Sequence, residues 1–256
     1  MKTQRIDPQT ADLIVRDALG ELHIPARRAF LRGAVTLGGL SMLTGCSISD
    51  EPSIESMLMK VSRFNDKVQA WMFDPKRLAP TYSASMITRP FPFNAFYGEN
   101  KAPRVDAESF RLDVSGKVAD KHAWSLAELQ ALPQTEQITR HICIEGWSAI
   151  GRWGGVPFAD FLRLVGADLS AKYVGFKCAD DYYTSIDMPT ALHPQTLMAL
   201  SFDGKTLPVR HGFPLKLRMP TKLAYKNPKH VQAIFVTNSY PGGYWEDQGY
   251  NWFGGS

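Results

Sequence analysis

Cysteine is scarce in this sequence: Cys46, Cys143 and Cys178 are the only three in 256 residues. Three thiols exclude a disulfide scaffold and any zinc site of four thiolates, so each one needs its own explanation. Charge of one sign is lacking too. The net charge is +4 and no Lys/Arg stripe dominates any stretch, which excludes a nucleic-acid-binding surface. No apolar run is long enough to cross a bilayer; the uncharged stretch Gly33 to Gly45 is about 13 residues against the about 20 required. A Gly-rich phosphate loop, a His-Glu-x-x-His helix and a Gly-x-Ser-x-Gly elbow are all absent, which removes the common nucleotide, zinc and serine-hydrolase readings. What is present, 44% hydrophobic and 11% aromatic residues, suffices for one packed domain or two.

The N-terminal region reads as an address. Ala26-Arg27-Arg28-Ala29-Phe30-Leu31-Arg32 precedes the short apolar stretch, and small residues close it. Basic region, short apolar core and small-residue exit are the layout of an export signal. Arg27 and Arg28 followed by Phe30 and Leu31 resemble the twin-arginine signature, which is read by the twin-arginine translocase. The competing reading is an ordinary amphipathic helix. Leu43-Thr44-Gly45-Cys46 resembles a bacterial lipobox, in which Cys46 becomes a lipid-bearing N-terminus. Against this stands a plain cleavage site followed by an idle cysteine.

Between Cys46 and residue 90, Met57-Leu58-Met59 and Val68 to Met72 predict helical turns. Pro75, Pro80, Pro90 and Pro92 then predict an extended arm wrapped on the surface. Phe110, Leu112 and Val114 alternate with polar residues up to Ser115-Gly116, a half-buried strand and its turn. Ser125 to Glu128 has capping-box spacing and predicts a short helix ending before Pro133. Further strands are expected over Gln137–Ile144, Tyr173–Cys178, Leu215–Met219 and Val231–Val236. A helix is expected from Pro157 to a stop at Gly166, and a hairpin turn at Asp203-Gly204. There is no internal repeat. Scattered strands with short surrounding helices give an α+β fold of mixed β-sheets rather than alternating βαβ units.

Cys143 is the most informative residue. It stands where Arg140-His141-Ile142-Cys143-Ile144-Glu145-Gly146-Trp147-Ser148 passes from a strand pattern into small residues. A buried cysteine is otherwise a small hydrophobe. A Cys143–His141 nucleophile pair is sterically conceivable, since i and i+2 share a strand face, but no orienting third group is evident. The aromatic tail, Tyr240 to Trp245 and Tyr250 to Phe253, reads on its own as a packed C-terminal cap.

The segment around Cys143, with Gly154-Gly155-Val156-Pro157-Phe158, resembles the molybdopterin-binding domain of the sulfite oxidase superfamily. The bacterial periplasmic methionine sulfoxide reductase branch is the nearest part of that superfamily. Four further strings, in order, carry the resemblance: Phe93-Asn94-Ala95-Phe96-Tyr97, Gly204 to Pro208, His211-Gly212-Phe213-Pro214-Leu215-Lys216, and Pro220 to Lys226. It extends from about Thr88 to Ser256. The organisation expected from it is an export signal over 1–45, an N-terminal arm over 46–90 and a molybdopterin-binding oxidoreductase domain over 91–256.

The resemblance implies a molybdenum cofactor with a single pyranopterin, its metal ligated by the Cys143 thiolate. A soft thiolate suits a metal already held by sulfur. By family position, Asn94, Phe96, Tyr97, Cys178, His211, Lys216, Asn227, Pro228 and Lys229 would line the cofactor. Lys216 and Lys229 would supply phosphate-binding charge; taken alone, each also reads as surface lysine, and His211 as a turn histidine. Cys178 stands where the reductases carry Thr. Lys216 stands where the family usually carries Arg, which keeps the charge and loses the bidentate fork.

Sulfite oxidases follow their ligand cysteine with an arginine-bearing run, whereas this chain has Glu145-Gly146-Trp147-Ser148. A dianion beside Glu145 is disfavoured by Coulomb repulsion, and an uncharged small oxo-donor or oxo-acceptor such as a sulfoxide fits better. Trp147 is then either a pocket wall or a core aromatic. The resulting expectation is an exported, periplasmic molybdopterin-dependent oxidoreductase, anchored through Cys46 and supplied with electrons by a membrane haem subunit. The alternatives are a sulfite-type oxidase donating to a cytochrome, and a non-catalytic lipoprotein of the same fold.

Overall fold

The computed structural model describes residues 52–256; the signal, lipobox and Cys46 readings lie outside the described residues. The chain falls into two units, Met1–Leu58 and Met59–Ser256. The first is described only over the start of helix α1 (Pro52–Met72); the second holds the rest of that helix and both sheets. The two apolar pieces expected as helical turns belong to this one continuous helix. After it the proline-rich stretch does run extended along the body. Tyr82 N–H donates to the Ile138 carbonyl (3.0 Å) and Thr88 N–H to the Ile150 carbonyl (2.9 Å).

Two five-stranded sheets form the body. The first has the order β2 (Trp124–Ser125), β1 (Arg111–Gly116), β10 (Val231–Thr237), β5 (Tyr173–Cys178), β6 (Tyr183–Asp187). Its β1–β10 pair is parallel and the rest antiparallel, so the sheet is mixed. The second runs β3 (Thr135–Ile142), β4 (Ser148–Pro157), β7 (Leu197–Phe202), β8 (Lys205–Thr206), with β9 (Lys216–Arg218) also paired to β7. Helices α2 (Leu126–Ala131), α3 (Phe158–Leu164) and α4 (Met188–Ala191) are short, as an α+β architecture of this kind predicts.

Local chemistry explains most of these elements. Ser125 Oγ accepts the Glu128 N–H (3.2 Å) while Glu128 Oε2 accepts the Ser125 N–H (2.7 Å), completing the capping box. Pro157 is the last residue of β4 and the N-cap of α3, not its first helical residue. Phe158, Phe161 and Leu162 bury one face of α3, and Gly166 ends it at φ +62°. Asp203 and Gly204 both have positive φ, the turn that joins β7 to β8. The main core lies between the two sheets, α2 and α3, with Val156, Met198, Leu200 and Leu217 contributed by the second sheet. A smaller cluster of Phe91, Ala149, Trp153, Leu197, Ala199 and Leu207 packs the second sheet.

Candidate active site

The β3–β4 hairpin carries the central residue. Pairing ends at Ile142 and Ser148, so Cys143 lies one residue past β3 rather than within a strand reaching Ile144. Its N–H donates to the Trp147 carbonyl (2.9 Å), and its carbonyl accepts the Gly146 N–H (3.3 Å). Gly146 has φ +90°, which lets this five-residue loop close. The loop turns Cys143 into a cavity of about 240 Å³.

Five stretches of chain line that cavity: Asn94 to Phe96, Cys143 to Glu145, Asp180 with Tyr182, Ala224 and Tyr225 with Asn227 to Lys229, and Trp245 with Tyr250. Six of the ten residues expected at the site therefore face it directly: Asn94, Phe96, Cys143, Asn227, Pro228 and Lys229. Tyr97 stands behind, its hydroxyl donating to Asp180 Oδ2 (2.7 Å). Cys178, His211 and Lys216 are buried behind the lining and are not part of it. His211 packs against Phe91, Phe202 and Trp153, and burial, with the Lys216 charge adding to it, draws its imidazole down to about 3. Asn227 faces the cavity, but its side chain is already committed. Oδ1 accepts from Arg218 Nη1 (3.1 Å) and Met219 N–H (2.6 Å), and Nδ2 donates to the Leu223 carbonyl (3.0 Å).

Trp147 is not a pocket wall. It packs against the smaller core cluster and donates from Nε1 to Glu145 Oε2 (2.8 Å). The aromatic wall comes from the tail, the 94–96 stretch and the β5–β6 turn instead: Phe96 stacks on Tyr244 (4.8 Å between centroids) and Tyr182 (6.0 Å). The tail is thus a cap at Trp252 and Phe253, both buried, and site lining at Trp245 and Tyr250.

Burial pushes the Cys143 thiol up, and the Glu145 carboxylate adds to it. Burial raises Cys178 much further, with Asp180 adding. Cys143 therefore rests as a thiol until a metal deprotonates it. Among the described residues no cluster of three or more His, Cys, Asp or Glu is placed to hold a metal ion, so a metal at Cys143 needs ligands from a cofactor.

The cations behind the cavity test whether such a cofactor fits. Lys216 Nζ donates to the Asn227 carbonyl (3.0 Å), and Lys229 Nζ to the carbonyls of Asn94 (2.5 Å) and Arg210 (3.2 Å). Arg218, not anticipated from the sequence, donates to the Asn227 amide oxygen, to Thr139 Oγ1 (3.2 Å) and to the Arg140 carbonyl (2.6 Å). All three are buried, and among the described residues none forms an ion pair, whereas the nearby Lys226 is paired with Glu246. Burial and mutual repulsion draw Lys216 well down, and burial brings Lys229 to about 8. Buried cations satisfied only by neutral oxygens are costly unless an anion joins them, and a phosphate-bearing pterin supplies one. The residues fit the group. Arg218 lies on β9, whose apolar–cationic alternation reads as a strand with one wet face, whereas all three of its residues are buried.

Comparisons agree with this geometry. The family profile described as "oxidoreductase molybdopterin binding domain" matches residues 99–245. A protein of Azospira oryzae named putative protein-methionine-sulfoxide reductase subunit YedZ1 is 71% identical over 249 residues, 96% of this chain and 95% of that protein. The protein-methionine-sulfoxide reductase catalytic subunit MsrP of Xanthomonas campestris is 34% identical over 179 residues, 60% of this chain and 56% of that protein. Its namesake in Burkholderia mallei is 27% identical, covering 89% of this chain and 74% of that protein. Among solved structures, the sulfane dehydrogenase SoxCD of Paracoccus pantotrophus shares the fold, with a TM-score of 0.52 and 16% identity over 77% of this chain and 56% of that one. With the profile spanning more than half of the chain and the Cys143 cavity backed by unpaired buried cations, this protein belongs to the oxidoreductase molybdopterin binding domain family of the sulfite oxidase superfamily and is a molybdopterin-dependent oxidoreductase.

Proposed function

We propose that the protein reduces sulfoxides, with methionine sulfoxide in polypeptides as its substrate class. The observation that carries this is the lining of the cavity. Around Cys143 it presents Phe96, Ile144, Tyr182, Tyr225, Trp245 and Tyr250, two carboxylates (Glu145 and Asp180) and one cation, Lys229, already held by two carbonyls. An uncharged methyl sulfoxide suits aromatic walls, which favour sulfur contacts. A sulfite dianion meets two carboxylates and no free cation there. The relatives' names point to the same substrate.

In this reading Cys143 would hold the molybdenum as a thiolate, Lys229 with the Asn94 and Asn227 segments would hold the pterin and its phosphate, and Lys216 behind the lining would add positive charge. When bound, the cofactor supplies oxygen-atom transfer and a two-electron redox change. The protein orients the sulfoxide against the aromatic wall. It also limits which protons are at hand. Tyr182 OH is tied to the Tyr225 carbonyl (2.5 Å) and Tyr225 OH to the Asn251 carbonyl, which leaves Glu145, Asp180, Lys229 and Tyr250, besides Cys143, as the titratable groups facing the cavity. Reduction of a sulfoxide to a thioether takes two protons and two electrons and releases water, so an electron donor is required. We assign that role to a membrane haem subunit, with export through the twin-arginine translocase to the periplasm and an anchor at Cys46. The export and anchor assignments rest on Arg27, Arg28 and the Leu43–Cys46 segment, and the electron donor on the two-electron demand of the reaction.

Turnover assays with a reduced-dye electron donor test the proposal. The molybdenum-loaded enzyme is expected to reduce both an N-acetyl methionine sulfoxide amide and an oxidised protein, and to leave sulfite untouched. Sulfite-dependent cytochrome reduction without sulfoxide turnover would overturn it.

A further inference from the structure

Helix α1 is turned inside out. At about 3.6 residues per turn, Met59, Ser62, Asp66, Gln69 and Phe73 fall on one side, and all are partly buried. Asp66 marks that side as the packed one, because its Oδ1 accepts the Phe253 N–H (2.9 Å). The opposite side also carries large apolar residues, and apart from the half-buried Val68 they face solvent: Val61 is 49% exposed, Phe64 64%, Trp71 85% and Met72 71%. Exposed Lys60, Arg63 and Lys67 flank this stripe, while Asp66, the single acid of residues 59–73, faces inward. An amphipathic helix normally buries its apolar stripe in its own core.

We infer that this face of α1, from Val61 to Met72, docks onto the headgroup–acyl boundary of an anionic lipid bilayer. Aromatic and aliphatic side chains on one arc with basic side chains beside it are the composition of an interfacial helix. The cations match anionic headgroups. The chain ahead of the helix agrees: Cys46 lies six residues before Pro52, a tether of about 20 Å at full extension. Docking by α1 orients the membrane-bound protein by a second contact beside the anchor. The inference rests on the membrane-side location proposed for the protein, and its test is kept separate from that of the anchor.

The test uses the full chain carrying Cys46→Ser, which cannot be lipidated, in co-sedimentation with vesicles of phosphatidylethanolamine and phosphatidylglycerol. A second protein adds Val61→Ser, Phe64→Ser and Trp71→Ser, all on exposed positions, with circular dichroism confirming the fold. Both keep residues 1–45, so any binding by that segment is common to the two. The partition coefficient is expected to fall at least about tenfold in the second protein, and binding of the first to weaken in high salt. Failure of the first protein to bind, or equal binding by both, overturns the inference. So does a dimer of the first protein, seen by sedimentation velocity without lipid and lost in the second. Palmitate labelling at Cys46 of the otherwise natural chain scores the anchor separately; its failure leaves the vesicle result standing.

Discussion

Lys216 shows most clearly how single residues serve the site. Its ammonium is buried with one neutral acceptor and with Lys229 and Arg218 for neighbours, an arrangement that stability alone does not explain. A buried ion carries a desolvation penalty of several kcal/mol, and a single neutral acceptor does not offset it. Lys216→Met is therefore expected to melt no lower than the natural protein when both lack cofactor, yet to retain at least about tenfold less molybdenum. Elemental analysis and thermal denaturation on the same preparations check both parts. The sequence exposed Lys216 only as one lysine in a family string; its burial and lack of an anionic partner come from β9, a three-residue strand, being covered on both sides.

At the level of elements, the β3–β4 hairpin has to hold Cys143 in fixed relation to the 227–229 loop. Arg218 joins them, reaching Thr139 and Arg140 on β3 with one nitrogen and Asn227 with the other. Arg218→Met should cost about 2–4 kcal/mol of stability, since it removes charge-assisted bonds and leaves buried acceptors unpaired. It should also alter the Mo(V) resonance of the holoenzyme, which a purely structural loss would leave unchanged. Gly146→Ala isolates the loop. A Cβ there meets nothing within 4 Å, so only the φ of +90° resists it, at about 1 kcal/mol by melting. Strand β4 itself was not legible in the sequence. Gly151, Gly154 and Gly155 interrupt its alternation, and the structure gives the reason: a Cβ on Gly155 would lie 1.9 Å from the Met198 carbonyl oxygen, one on Gly154 2.4 Å from Ser201 Oγ, and one on Gly151 2.9 Å from the Phe91 and Trp153 rings. Strand β7 was hidden differently, as a continuous apolar run, Leu197 to Leu200, buried on both faces. The amphipathic strands β1, β5 and β10 were legible because one face is wet or half-buried.

On the scale of the whole molecule, the cavity draws on five stretches from Asn94 to Tyr250, and no local pattern announces such a convergence. The family resemblance located Asn94, Phe96, Cys143, Asn227, Pro228 and Lys229; Asp180, Tyr182, Trp245 and Arg218 emerged only once the sheets had brought them together. The gathered cations set a global pH response. Burial lowers Lys222 to about 7 and Lys229 to about 8, with Asp66, Asp187 and Lys226 around the former and Asp180, Arg210 and Glu99 around the latter. Their unfolded value is 10.5, so between these limits the unfolded chain binds more protons and stability rises with pH. The melting temperature of cofactor-free protein should climb between about pH 7 and pH 10, and Lys229→Gln should flatten the part above about pH 8. Bound cofactor should flatten it as well, because an anion keeps Lys229 charged. The central claim is that Cys143 is the protein's ligand to molybdenum, and the Mo(V) resonance of Cys143→Ala tests it most directly. The account predicts a pterin still held by the buried cations but a changed Mo(V) signal, with sulfoxide turnover lost. A signal identical to that of the natural protein would contradict it.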